Sequence, residues 1–280
     1  KWTHDNIGLF GGDPNRITVF GQNAGSSSVT YQLLNRRIEG LIQGGICESG
    51  TNLTAILNDT FLTNNDSQDL LEFLQSVPAK DVDVASDKYH DHQETPQDLE
   101  LSQGFYWAPV VEVKNENAFM TKKMYSLLKA GNFIKVPILI GINSEEMLFI
   151  NRNADNLKAT MQIYDEHPDW LLPNDMLITD DANRTEMGLA IKKIYTKGEP
   201  LAEHLGAGIR FYSDNSFTRS VIKYAEIDSQ YAPVYFYKFS YDGQIGGFDV
   251  KYEDAEYVAH NEELNYIFGN SNYSTFPAAD

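Results

Sequence analysis

The stretch ITVFGQNAGSSSVTYQLLN, residues 17–35, decides the architecture. Ile17 to Phe20 is a β-branched and aromatic run of the kind that makes a short strand, and it follows the turn-forming Gly11-Gly12-Asp13-Pro14-Asn15. Gly21 and Gly25 bracket a sharp turn, and SSSVTYQLLN beyond them is compatible with a helix. The segment reads strand, tight turn, helix.

The same grammar recurs downstream. Phe119 to Ala130 has helical spacing in Phe119, Met124, Leu127 and Leu128, with Gly131 placed as a C-cap. Val136 to Ile142 is continuously apolar apart from Pro137 and Gly141, as in a parallel strand covered by helices on both faces, and it ends at Asn143-Ser144-Glu145-Glu146. Helical patterns return near Thr185 to Tyr195 and Ser216 to Ser229, and Pro233 to Phe239 reads as another strand. A polar, Gly-containing loop then leads to His260 and the helix-like EELNYIF. Gln75 to Glu100, polar and carrying Pro78 and Pro96, reads as a surface excursion within a single domain spanning 1–280. Alternating strands and helices specify a doubly wound, mostly parallel α/β sheet, whose ligands gather beyond the carboxyl ends of the strands. Three polar sites placed just after three strands therefore have reason to converge.

Composition narrows the function classes. With 22 basic and 40 acidic side chains the net charge is −18, which repels polyanions and argues against nucleic acid as a partner. Hydrophobic residues make up 42% and aromatics 12%, too much apolar material for a disordered chain. The longest apolar stretch falls far short of the roughly 20 residues that span a bilayer, so no membrane span is expected here. Cys47 is the single cysteine, which excludes an intrachain disulfide and leans away from a stapled secreted domain. Acceptor sequons at Asn52, Asn58, Asn65, Asn183 and Asn272 lean the other way, toward a secreted or extracellular glycoprotein. The run Asp87, His90, Asp91, His92 reads as solvated polar loop rather than a metal site, and no P-loop or G-x-G-x-x-G is present. No cofactor or metal is required.

Gly21-Gln22-Asn23-Ala24-Gly25 has the frame of the G-x-S-x-G elbow that carries the nucleophile of an α/β-hydrolase. Glu146 and His260 follow in the order acid, then histidine, that such an enzyme needs. The nucleophile position holds asparagine instead of serine. On the residues alone, Asn23 also fits a plain turn at a helix N-cap, Glu145 is a rival for the acid, and His260 fits a surface histidine ahead of an acidic helix.

Longer stretches then resemble the type-B carboxylesterases and cholinesterases, and most closely their insect-type non-specific branch. The resemblance is carried by NIGLFGGDPNRITVFGQNAGSSSV, GLIQGGICESG, FYWAPVVE, ENAFMTKKMYSLLKAGNFIKVPILIGINSEEMLF, PVYFYKFSYDG and AHNEELNYIFG, in family order over nearly the whole chain. It implies an α/β-hydrolase fold lacking its N-terminal strands and its C-terminal end, hence a partial sequence. It also implies that Asn23 stands at the nucleophile position, that Ala24 supplies an oxyanion-hole N–H, that Glu146 is the acid and His260 the base, and that Ser49 supports them. Departures from the family are Asn23 itself, Met147 where glycine commonly follows the acid, and the short length. Since some family members are adhesion proteins without the nucleophile, the resemblance implies a domain that binds carboxylic esters or a protein partner with little or no hydrolysis. The alternative is an active serine carboxylesterase for small carboxylic esters, should Asn23 be a sequence error or an allele.

Overall fold

Parallel strands need long crossovers to bring the chain back to the same edge, and the spacing of the apolar runs supplies them. The computed structural model describes residues 1–54, 67–91, 109, 111–149, 153–173, 176, 178, 180–246 and 248–269. Among them, strands β1 (Thr18–Gln22), β2 (Gly44–Glu48), β3 (Ile138–Asn143) and β4 (Val234–Phe239) form one sheet in that order, each neighbouring pair parallel. The helices are α1 (Trp2–Asn6), α2 (Ala24–Leu34), α3 (Ser67–Ser76), α4 (Ala79–Asp91), α5 (Met124–Lys129), α6 (Ala154–Glu166), α7 (Asp181–Thr196), α8 (Leu205–Ser213), α9 (Arg219–Asp228) and α10 (Glu262–Phe268). None is long and apolar enough to cross a membrane.

One face of the sheet holds the first core. Helix α2 packs on β1 and β2, α9 on β3 and β4, and α5 joins the two helices. Leu33, Leu128, Phe133, Ile138, Ile140 and Tyr224 are fully buried there, each burial contributing about 1.5–3 kcal/mol. On the other face, Phe20, Ile46, Leu139 and Tyr235 share one register row across the four strands. Phe20 and Leu139 remain about 40% exposed and Tyr235 64%. The expectation that β3 is covered on both faces is thus met on one face by the described residues. A second core lies beyond the carboxyl ends of the strands, where Leu148, Leu157, Met161, Ile209 and Phe217 pack together.

Several local expectations need correction. The helix expected over Phe119–Ala130 is confined to Met124–Lys129, because the N–H groups of Phe119 and Met120 both donate to the Glu112 carboxylate instead of starting a helix. Its end is as expected. Gly131 has φ +64°, its N–H donates to Leu128 O, and Asn132 N–H donates to Leu127 O, a pair of bonds that closes a helix on a left-handed glycine. The helical pattern near Ser216 extends back to Leu205 through a π-helical segment, Asp214–Thr218. The polar excursion from Gln75 contains α4; its described side chains are exposed or half-buried, as a surface element requires. His92 lies outside the described residues, and among these no cluster of His, Cys, Asp or Glu is placed to hold a metal.

Asp228, at the end of α9, is 1% exposed, and neither carboxylate oxygen has a hydrogen-bond partner among the described residues. Burial pushes its pKa from the usual 3.8 to about 7. The folded state therefore holds a proton that the unfolded state releases, so this contribution to stability is complete below about pH 4 and is lost as pH rises toward 7. Glu48, raised to about 7 chiefly by burial, acts in the same direction. We expect the unfolding midpoint to fall between pH 5 and pH 7.5, and Asp228→Asn to flatten that fall by up to about 3 kcal/mol. Urea titrations across that range check it; parallel curves for the two proteins would refute it.

Candidate functional site

The elbow is built by steric exclusion. Asn23 adopts φ 52°, ψ −117°, a sparsely populated conformation that costs on the order of 1–3 kcal/mol outside glycine. It is held by its N–H donating to Glu48 O at 2.9 Å and its carbonyl accepting from Ser27 N–H at 2.9 Å. A Cβ on Gly21 would lie 2.2 Å from the carbonyl of Gly25, so β1 and α2 approach this closely only without a side chain at 21. Gly25, by contrast, has open space around its Cβ direction and sits in the first turn of α2. Asn23 is half-buried and makes no side-chain capping bond; Ala24 begins the helix, where N–H groups lack intrahelical acceptors.

Past the carboxyl end of β3 the acid and the imidazole meet. Nδ1 of His260 lies 2.6 Å from Oε2 of Glu146, with the His side chain 2% and the Glu side chain 0% exposed. The other Glu146 oxygen accepts from Asn143 N–H at 2.7 Å, and His260 N–H donates to Glu146 O at 3.2 Å. The Asn143 side-chain amide donates to Ala259 O at 2.7 Å and to the Glu263 carboxylate, tying β3 to the start of α10. Phe149 stacks on the imidazole at 5.5 Å and Phe217, from the π-helical segment, leans on it at 4.6 Å. Nε2 of His260 is 3.1 Å from the side-chain nitrogen of Gln22, which brings the elbow to the histidine.

Further carboxyls crowd this place. Glu263 is raised by burial above all, with the Asn143 bond working against the shift. Glu48 is lifted to about 7 by burial and then by Glu263. Glu145 is also raised by burial; its carboxylate accepts from Glu256 N–H at 3.1 Å and lies 3.6 Å from Arg210, away from the imidazole. Each of these shifts favours the neutral carboxyl over the carboxylate.

A sharp strand-to-helix turn, a buried acid and its histidine, in that chain order on a parallel sheet, is the frame of the α/β-hydrolase fold. Residues 1–280 match the sequence model of the Carboxylesterase family. The chain belongs to the carboxylesterase family. It is 27% identical to Esterase FE4 of Myzus persicae over 99% of this chain and 51% of that protein. It is also 28% identical to human Neuroligin-2, over 96% of this chain and 32% of that protein. Among solved structures, juvenile hormone esterase of Manduca sexta, with OTFP covalently attached, superposes at TM-score 0.72 and 24% identity, covering 95% of this chain and 52% of that one. This confirms the α/β-hydrolase fold. The chain spans about half the length of Esterase FE4 and juvenile hormone esterase.

Of the residues expected from the carboxylesterase resemblance, Glu146 and His260 are in contact, and Glu146 rather than Glu145 meets the imidazole. Ser49 follows β2 with φ 51° and is fully buried, and its hydroxyl makes no hydrogen bond among the described residues, Glu146 and His260 included. Met147 is buried in the second core, its N–H donating to Ser213 Oγ at 3.1 Å. Asn52 is 0% exposed and its side-chain amide donates to Thr30 O at 3.4 Å. Asn183 is exposed in the first turn of α7, while Asn58, Asn65 and Asn272 lie outside the described residues. Sequence reasoning gave no site role to Gln22, Asn143 or Phe217, and read Glu263 only as part of the acidic helix start after His260. Gln22, Asn143 and Glu263 adjoin motif positions, which is the signal that could have found them; Phe217 comes from a segment with no motif.

The turn sterics make a sharp contrast. Gly21→Ala is expected to destabilise the fold by about 3 kcal/mol or more, whereas Gly25→Ala costs nothing or gains up to about 1 kcal/mol. Equal midpoints for the two variants in chemical denaturation would refute the steric account.

Proposed function

We propose that this chain belongs to a single α/β-hydrolase domain that binds carboxylic esters or a protein partner with little or no hydrolysis. In this reading Asn23 takes the nucleophile position, Ala24 offers an oxyanion-hole N–H, and Glu146 and His260 are the retained acid and base. The observation that carries it is the assembled Glu146–His260 pair next to an elbow whose tip is a carboxamide.

The chemistry follows from the side chain. A serine hydroxyl passes its proton to histidine as it attacks a carbonyl, forming an acyl-enzyme that water later releases. A carboxamide has no hydroxyl proton to give, and its nitrogen lone pair is delocalised into the carbonyl. Asn23 therefore forms no acyl-enzyme. Loss of a triad nucleophile costs on the order of 10⁶ in turnover, while binding and oxyanion donors survive. The elbow conformation suits asparagine, which enters positive-φ backbone more readily than most side chains. The likeness to Esterase FE4 supports an ester-shaped pocket.

In the full natural protein carrying these residues, an activated ester is expected to give no burst and a fluorophosphonate no adduct at position 23. Asn23→Ser is expected to raise turnover by about 10³ or more. A stoichiometric burst from the unaltered protein, or an Asn23→Ser variant that folds and stays inert, would overturn the reading.

A further inference from the structure

The hydrogen bond that joins the elbow to the histidine comes from Gln22, the residue before the elbow tip, at a sequence separation of 238. A carboxylate only accepts, so the 2.6 Å contact with Glu146 places the imidazole proton on Nδ1. Nε2 is then an acceptor, and the side-chain nitrogen of Gln22, 3.1 Å away, is a donor with two hydrogens. Both ring nitrogens are thereby satisfied, and Phe149 and Phe217 pack against the ring. Glu263 is a further carboxyl whose field reaches the imidazole.

We propose that Gln22 is a positioning residue that latches His260. Its amide occupies the Nε2 lone pair, holds the Nδ1–H tautomer, and stands in for the hydroxyl that position 23 does not supply. Nε2 is the nitrogen that accepts the nucleophile's proton in a working triad, so the latch keeps the base both oriented and engaged. The Asn23 side chain makes no capping bond on α2. The inference rests on reading Glu146 and His260 as the site, and it is independent of whether the protein turns over an ester.

The test follows the ring itself. Selective ¹⁵N-histidine labelling of the full natural protein, with the His260 signals assigned by their loss in His260→Gln, reads the ring at fixed neutral pH. His260 is expected to show a protonated Nδ1 and an Nε2 shifted as a hydrogen-bond acceptor. Gln22→Ala should move Nε2 downfield, toward a nitrogen that accepts no bond. The near-isosteric Gln22→Glu, whose carboxylate cannot donate, should move Nε2 into the protonated range, while Asn23→Ala leaves it in place. The remaining histidine signals report that each variant is folded. An Nε2 resonance unmoved by both Gln22 variants, or moved by Asn23→Ala as far as by Gln22→Ala, would overturn the latch. Ester turnover by the unaltered protein would instead overturn the function proposed above and leave these ring signals as expected.

Discussion

A carboxylate taken out of water has to be surrounded by donors, and Glu146 meets that demand with the His260 imidazole on one oxygen and the Asn143 amide on the other. Its burial costs several kcal/mol that only such partners recover. The two residues are 114 positions apart, so satisfying the carboxylate fixes where the segment before α10 must lie. Asn143 reinforces the same junction through Ala259 and Glu263. One buried group thus ties the end of β3 to the last described helix.

The surroundings of that pair are costly in the same way. Glu48, Glu145 and Glu263 are buried acids, each with its pKa raised mainly by desolvation, and Asn23 and Ser49 both hold positive φ beside them. Strain and buried charge cluster where a chemical site lies, beyond the carboxyl ends of parallel strands. In the silent reading proposed for this chain, that cost persists because the pair also holds the fold together. An imidazole that no longer serves a nucleophile remains the donor that keeps Glu146 satisfied.

Much of the fold was legible because its signals are local. The apolar runs before Gly21, around Ile140 and around Phe236 marked three of the four strands, and Gly131 marked a helix end that the backbone realises. Strand β2 went unread, since GGICE carries two glycines and a carboxylate that make sense only with α2 packed against it. Phe119 and Met120 kept a helical spacing but were drawn out of the helix by Glu112, a competitor that periodicity does not register. Of the site, the elbow, Glu146 and His260 could be picked out by order and resemblance. Phe217 could not, because nothing in its neighbourhood states which way it faces.

Sequence alone determined the kind of sheet, the sharp turn between Gly21 and Gly25, and the chemistry available at position 23, since each depends on residues within a few places of one another. Tertiary structure decided which of two adjacent glutamates meets the histidine, which side chain occupies its second nitrogen, and that Asn52 faces the interior. The reason is geometric: these outcomes depend on the register of strands and the angle of helices that meet across more than a hundred residues, and a local pattern of side chains contains no term for either.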